Sequence, residues 1–242
     1  MSFPLELPRV FKLVCMEYFF VACMNAPYSL KPFALIRETI GVILANNNCT
    51  GKIMTDKTAF GKLVAENTLL LIVDIQERLQ RAMLNGDELL KNAVILLEGC
   101  KALNVAVIVS EQYPRGLGAT VPALNTEECT VLEKTCFSCL DDDSIRQTLS
   151  ASGCRDILLA GIESHVCVYQ TARDLVDAGY NTHLVTDAVA SRTAANCQLG
   201  ISKIAALQGN GQVHLTGVET VLFDLLGSSR HPAFKTISNL VK

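Results

Sequence analysis

Asp74, Lys134 and Cys167 each come at or just beyond the end of a short apolar run: TLLLIV (68–73), TVL (130–132) with Glu133 between, and DILLAG (156–161). Together they supply an anion, a cation and a soft nucleophile. A carboxylate at Asp74 can take the thiol proton. An ammonium at Lys134 supports both the carboxylate and the thiolate, which gives this set the role that a histidine fills in other thiol sites. Sulfur adding to a carbonyl, amide or imine carbon builds negative charge on the substrate, and the backbone N–H groups of Val166 and Cys167 are the expected donors to it. Cys167 opens an amphipathic segment after an abrupt turn, GIESHVC, so a helix N-terminus is expected to favour its thiolate and lower its pKa. His165 is a rival base. It lies only two residues from Cys167, so its ring is expected to diverge from the thiol and shape the turn.

Three such groups act together only if the elements that carry them end along one edge. The chain alternates regularly from residue 60 onward. TLLLIV (68–73), VAVIVS (105–110), a short strand at 130–132 running into Glu133 and Lys134, DILLAG (156–161), YNTHLVTDAV (180–189) and QVHLTG (212–217) read as strands. Helical periodicity covers Asp87 to Leu103, Asp141 to Ser150, the segment after Cys167, Ala194 to Leu207 and Glu219 to Leu226. Strands apolar on both faces imply a parallel sheet covered on both sides. The expected fold is therefore α/β, a three-layer doubly wound domain with a mostly parallel six-stranded sheet flanked by helices. In such sheets ligands bind outside the carboxyl ends of the strands, where the three groups fall. Residues 1–55 differ in composition and read as an N-terminal extension with one helical candidate at Pro32 to Asn46, leaving 56–242 as the domain.

Composition narrows the function. The 242 residues carry 21 basic and 24 acidic side chains, a formal charge of -3, with no basic run dense enough to track a phosphate backbone, so nucleic acid is not an expected partner. The apolar stretch from Phe11 to Met24 is interrupted by Lys12 and Glu17 and is shorter than the roughly 20 residues a bilayer needs, so no membrane span is expected. A cytoplasmic location is expected, with the mitochondrion as a weaker alternative because the first residues lack an Arg-rich, acid-poor pattern. Ten cysteines are scattered without a disulfide framework, and the single CxxC, Cys136 to Cys139, lacks the second pair that zinc would need. Neither GxGxxG nor GxxxxGK[ST] occurs.

The segments LLLIVDIQERL (69–79), VSEQYPRGLG (109–118), VLEKTCFSCL (131–140), LLAGIESHVCVYQTARDL (158–175) and HPAFKTISNLVK (231–242) resemble, as a set, the isochorismatase-like cysteine hydrolase family, and within it the isochorismatase domain-containing branch. The resemblance implies a catalytic triad of Asp74, Lys134 and Cys167 and the fold expected above. It also implies a cis peptide joining Ile162 to Glu163, which would aim backbone donors at an oxyanion, with Gly161 easing the turn. The nicotinamidase branch holds a metal with an Asp-x-His and a further His. Here the corresponding text is SEQYPRG, and the histidines at 165, 183, 214 and 231 lack ligand spacing, so neither metal nor organic cofactor is expected. Gln76, Tyr113, Arg115, Phe137 and Tyr169 are the candidate pocket residues, with Arg115 a possible carboxylate anchor. The expected activity is cysteine-dependent hydrolysis of a small amide, imide or related acyl compound through a thioester. A thiol-dependent isomerase or lyase, and a noncatalytic binding or scaffold protein with a retained triad, are the alternatives. A small-molecule substrate and a homo-oligomer are the expected partners.

Overall fold

A run as apolar as TLLLIV has no solvent face, and as a strand it must send alternate side chains into two different cores. The computed structural model, which describes residues 61–242, shows this division. In β1 (Thr68–Val73), Leu70 and Ile72 enter one apolar cluster, whereas Leu69, Leu71 and Val73 enter the other. The expected extension and its helix at Pro32 to Asn46 lie outside the described residues.

In chain order, β1 is followed by the short helix α1 (Glu77–Gln80), α2 (Gly86–Ala102), β2 (Ala106–Gln112), the single turn α3 (Pro114–Leu117) and β3 (Thr130–Lys134). A 3-10 turn at Cys139–Asp141 leads into α4 (Asp143–Ser152), β4 (Asp156–Ile162), α5 (Cys167–Asp177), β5 (Asn181–Ala190) and α6 (Ala194–Ala205). The chain continues through β6 (Val213–Thr216), α7 (Val218–Leu226) and α8 (Phe234–Leu240). The strands are all parallel and lie in the order β3-β2-β1-β4-β5-β6. Helices α2, α7 and α8 supply the core on one face; α4, α5 and α6, with the 3-10 turn, supply it on the other. This is the three-layer, doubly wound domain that the alternation predicts.

Strand order reverses between β1 and β4. Adjacent connections leave this point in opposite directions, and in sheets of this kind ligands bind outside the carboxyl ends of the strands at such a point. The slip in pairing between β4 and β5 from Leu159 to Gly161 lies at the same edge. Three α-helices are additional to the sequence reading. Helices α1 and α3 have four residues each, too short for periodicity to register. Helix α8 hides its signal because Ile237 is its one buried residue.

A candidate active site at the switch point

Asp74 leaves β1 with φ +55, a left-handed conformation that aspartate tolerates better than most residues. Its N–H still bonds to Ser110 O at 3.1 Å, so the turn begins while β1 remains tied to β2. Lys134 ends β3, two strands away, and its long side chain places Nζ 2.7 Å from Asp74 Oδ2. Both side chains are almost wholly buried. A buried pair of this kind stands only if its remaining hydrogen-bonding capacity is filled. The ammonium also reaches Gln112 Oε1 at 2.8 Å and the carbonyls of Cys136 and Phe137 at 3.3 Å, while Ser110 Oγ–H donates to Asp74 Oδ1 at 2.7 Å.

Cys167 is the first residue of α5 and is 6% exposed. Its thiol is under the influence of the Asp74 carboxylate. Burial pushes the thiol pKa far above its ordinary value, and the Asp74 carboxylate raises it further, against a smaller opposing pull from Lys134. The expected lowering by the helix end is therefore overridden: desolvation and a neighbouring carboxylate both favour the neutral thiol. Burial alone would lower the Lys134 pKa, but the charge of Asp74 and its hydrogen bond carry it upward.

The turn that presents the thiol departs from expectation in two respects. The Ile162–Glu163 bond is trans, as are all peptide bonds among the described residues. Sharp reversal is achieved in φ instead, with Gly161 at +138 and Glu163 at +58. A Cβ at Gly161 would lie 2.2 Å from Val73 O, so this position requires glycine on grounds of both conformation and space. Of the two expected oxyanion donors, the Val166 N–H is occupied by Glu163 O at 2.8 Å, leaving that of Cys167. Ile162 is wholly buried at the end of β4.

Glu163 points away from the thiol, with Oε1 2.6 Å from Arg192 Nε and Oε2 3.3 Å from His165 Nδ1. His165 Nδ1 also lies 3.0 Å from Ser191 Oγ, and Ser191 Oγ lies 2.7 Å from Ser164 Oγ. His165 thus ties the turn to the residues after β5. From the other side, Gly200 of α6 packs so closely that a Cβ there would be 2.5 Å from the Ser164 carbonyl.

The candidate pocket residues separate. Gln76 is wholly buried, and its amide is spent on backbone: Nε2 donates to Gly118 O at 2.6 Å and Gln112 O at 3.1 Å, and Oε1 accepts from Gln112 N–H at 2.7 Å. It fastens the β2 end and its loop. Tyr113 and Phe137 are each 54% exposed and flank Lys134 in the chain fold, since Tyr113 N–H bonds to Lys134 O and Phe137 O accepts from its ammonium. Arg115 is exposed on α3. Tyr169 lies about 200° round the helix from Cys167, and its ring carries Lys203 Nζ at 3.9 Å. Glu111, where the nicotinamidase branch has metal-binding text, instead accepts from Thr120 N–H and Oγ–H at 2.7 Å each.

Ser110 and Gln112 are absent from the sequence-based set. Both lie in β2, and the alternation of SEQ (110–112) puts them on the same side of the strand, but only the strand order shows that β2 separates Asp74 from Lys134.

An acid, a lysine and a thiol gathered at the switch point of a 3-2-1-4-5-6 parallel sheet define an isochorismatase-like α/β domain. The chain belongs to the isochorismatase-like hydrolase family: the isochorismatase domain matches residues 68–220. Isochorismatase domain-containing protein 2 of Xenopus laevis is 34% identical over 188 residues, covering 78% of this chain and 90% of that protein. Isochorismatase domain-containing protein 1 of Salmo salar is 35% identical over 189 residues, covering 78% of this chain and 65% of that one. A solved structure named MAR1 ribonuclease, from Caenorhabditis elegans, superposes with a TM-score of 0.69 at 33% identity, covering 74% of this chain and 92% of its own. The YcaC gene product of Escherichia coli shares the fold, with a TM-score of 0.66 at 19% identity over 75% of this chain and 95% of its own.

Proposed function

We propose that this protein is a cysteine hydrolase of a small amide, imide or related acyl compound, with Cys167 as nucleophile, Asp74 as base and Lys134 as electrostatic partner. The observation that carries the reading is the buried ion pair in which Asp74 lies 2.7 Å from the Lys134 ammonium, with the Cys167 thiol under the influence of the same carboxylate. The resting thiol is neutral, so deprotonation accompanies attack. Asp74 takes the proton as sulfur bonds to the substrate carbon, and the C–O π pair moves to oxygen, facing the Cys167 N–H. Collapse breaks the C–N bond, and the amine leaves with the proton held by Asp74. Water then adds to the thioester and gives a proton to Asp74; the C–S bond breaks, and sulfur recovers that proton. Lys134 keeps the carboxylate fixed and compensates its charge throughout the cycle.

A net charge of -3 and a buried site lysine already bonded to Asp74 favour a small substrate without dense negative charge over a polyanion. A homo-oligomer belongs to the same proposal, because Tyr113 and Phe137 leave two aromatic side chains open beside the site. In a screen of small amides and imides, Cys167→Ala is expected to abolish turnover while keeping the fold, and full turnover in that variant would reject the covalent route. In heavy-oxygen water one solvent oxygen is expected in the acid product. Product without it would indicate isomerisation or elimination.

A further inference from the structure

A second thiol lies on the far side of the base. Cys139 is wholly buried, and its Sγ–H donates to Ser110 Oγ at 3.5 Å; Ser110 Oγ–H in turn donates to Asp74 Oδ1 at 2.7 Å. The direction of this chain is fixed chemically. A carboxylate only accepts, so Ser110 must give its single proton to Asp74, and its oxygen is left to accept from Cys139. Burial pushes the Cys139 thiol up to about 11, which keeps its proton in place at neutral pH. The backbone N–H of Cys139 donates to Thr171 Oγ1 at 3.0 Å, one turn beyond Cys167 on α5. One residue therefore connects the base to the helix that carries the nucleophile.

We propose that Ser110 is a positioning residue for Asp74, and Cys139 a positioning residue for Ser110, so that a buried thiol-hydroxyl chain disperses the carboxylate charge that acts on the Cys167 proton. The inference deepens the hydrolase reading and rests on it. Asp74 is faced by Lys134 from β3, by Cys139 through Ser110, and by Cys167 from α5; Lys134 holds the other oxygen. Without the Ser110 donor, more negative charge faces the thiol, and Cys167 should release its proton only at higher pH. Removal of the Asp74 charge should do the opposite.

The test is the pH dependence of Cys167 carbamidomethylation by iodoacetamide, followed by peptide mass spectrometry in the full chain, with circular dichroism as a check of folding. Ser110→Ala should slow labelling about tenfold at a fixed pH below the midpoint and move the profile upward, as expected for loss of a hydrogen bond to a charged group. Ser110→Thr, which keeps the hydroxyl, should stay within about twofold of wild type. Cys139→Ala should shift the profile in the same direction by a smaller amount, and it carries the prediction if Ser110→Ala does not fold. Asp74→Asn should shift the profile downward. A wild-type profile in folded Ser110→Ala, or in Cys139→Ala where that variant stands in, overturns the positioning role. An unmoved profile in Asp74→Asn contradicts the hydrolase reading as well, because Asp74 would then not act on the thiol.

Discussion

In the proposed mechanism Cys167 is a nucleophile kept in its neutral form until it reacts. Burial and Asp74 both hold its proton, so its labelling by iodoacetamide should keep accelerating as pH rises beyond the ordinary thiol range, about 8.5. A plateau below that range would mean that the thiolate is already formed at rest. Asp74→Asn should lower turnover by about 10²–10⁴-fold, the usual contribution of a positioned base, even as it makes the thiol easier to ionise. Lys134 is subject to a different constraint. Lys134→Met leaves a buried carboxylate without its cation and should destabilise the fold by about 3–5 kcal/mol, measured by urea denaturation. An unchanged midpoint would show that the pair does not bear on stability.

Strand ends bring the three groups together, but the nucleophile turn is shaped by its neighbours. Gly200→Ala puts a methyl group against the Ser164 carbonyl and should destabilise the protein by about 1–3 kcal/mol, lowering Cys167 reactivity with it. Wild-type stability and labelling would show that α6 has room to move away. The strands and the longer helices were legible in sequence because their periodicity is long and their apolar content high; TLLLIV matches β1 residue for residue. That Asp74, Lys134 and Cys167 come to one edge of the sheet was legible as well, since each sits at or beyond the end of an apolar run. Ser110, Gln112 and Cys139 were not, because their part depends on β2 lying between β1 and β3, and strand order is not written locally. For the same reason Gln76 reads as a contact of either substrate or loop, and its amide bonds to the end of β2 and the loop after it. The trans geometry at Ile162–Glu163 was hidden in another way: the turn can reverse through Gly161 and Glu163 dihedrals, and the residue types permit either route.

At the scale of the whole domain, the amino-terminal edge of the sheet is held separately from the site. Asp156 accepts from Asn67 Nδ2 at 2.7 Å and Asn181 Nδ2 at 3.0 Å, with His183 Nε2 at 3.2 Å. Burial alone would raise its pKa, but these donors win and lower it below the usual 3.8. A carboxylate depressed in the folded state stabilises the protein above its unfolded value and loses that contribution as pH falls through the folded one. Asp156→Asn should therefore cost about 1–3 kcal/mol at neutral pH and flatten the stability loss below about pH 4, read from thermal melts across pH. An equal acid limb in both proteins would place the sensitivity elsewhere. No helix among the described residues is long and apolar enough to cross a membrane. Sedimentation velocity should show more than one copy per particle if an assembly covers Tyr113 and Phe137. The central claim concerns one bond between sulfur and substrate carbon. It is tested most directly by acid-quenched intact-mass spectrometry of wild type and Cys167→Ala during turnover of a small amide or imide substrate. An added acyl mass on wild type, located at Cys167 by peptide mapping and absent from the variant, is the predicted result; turnover by Cys167→Ala at the wild-type rate would contradict it.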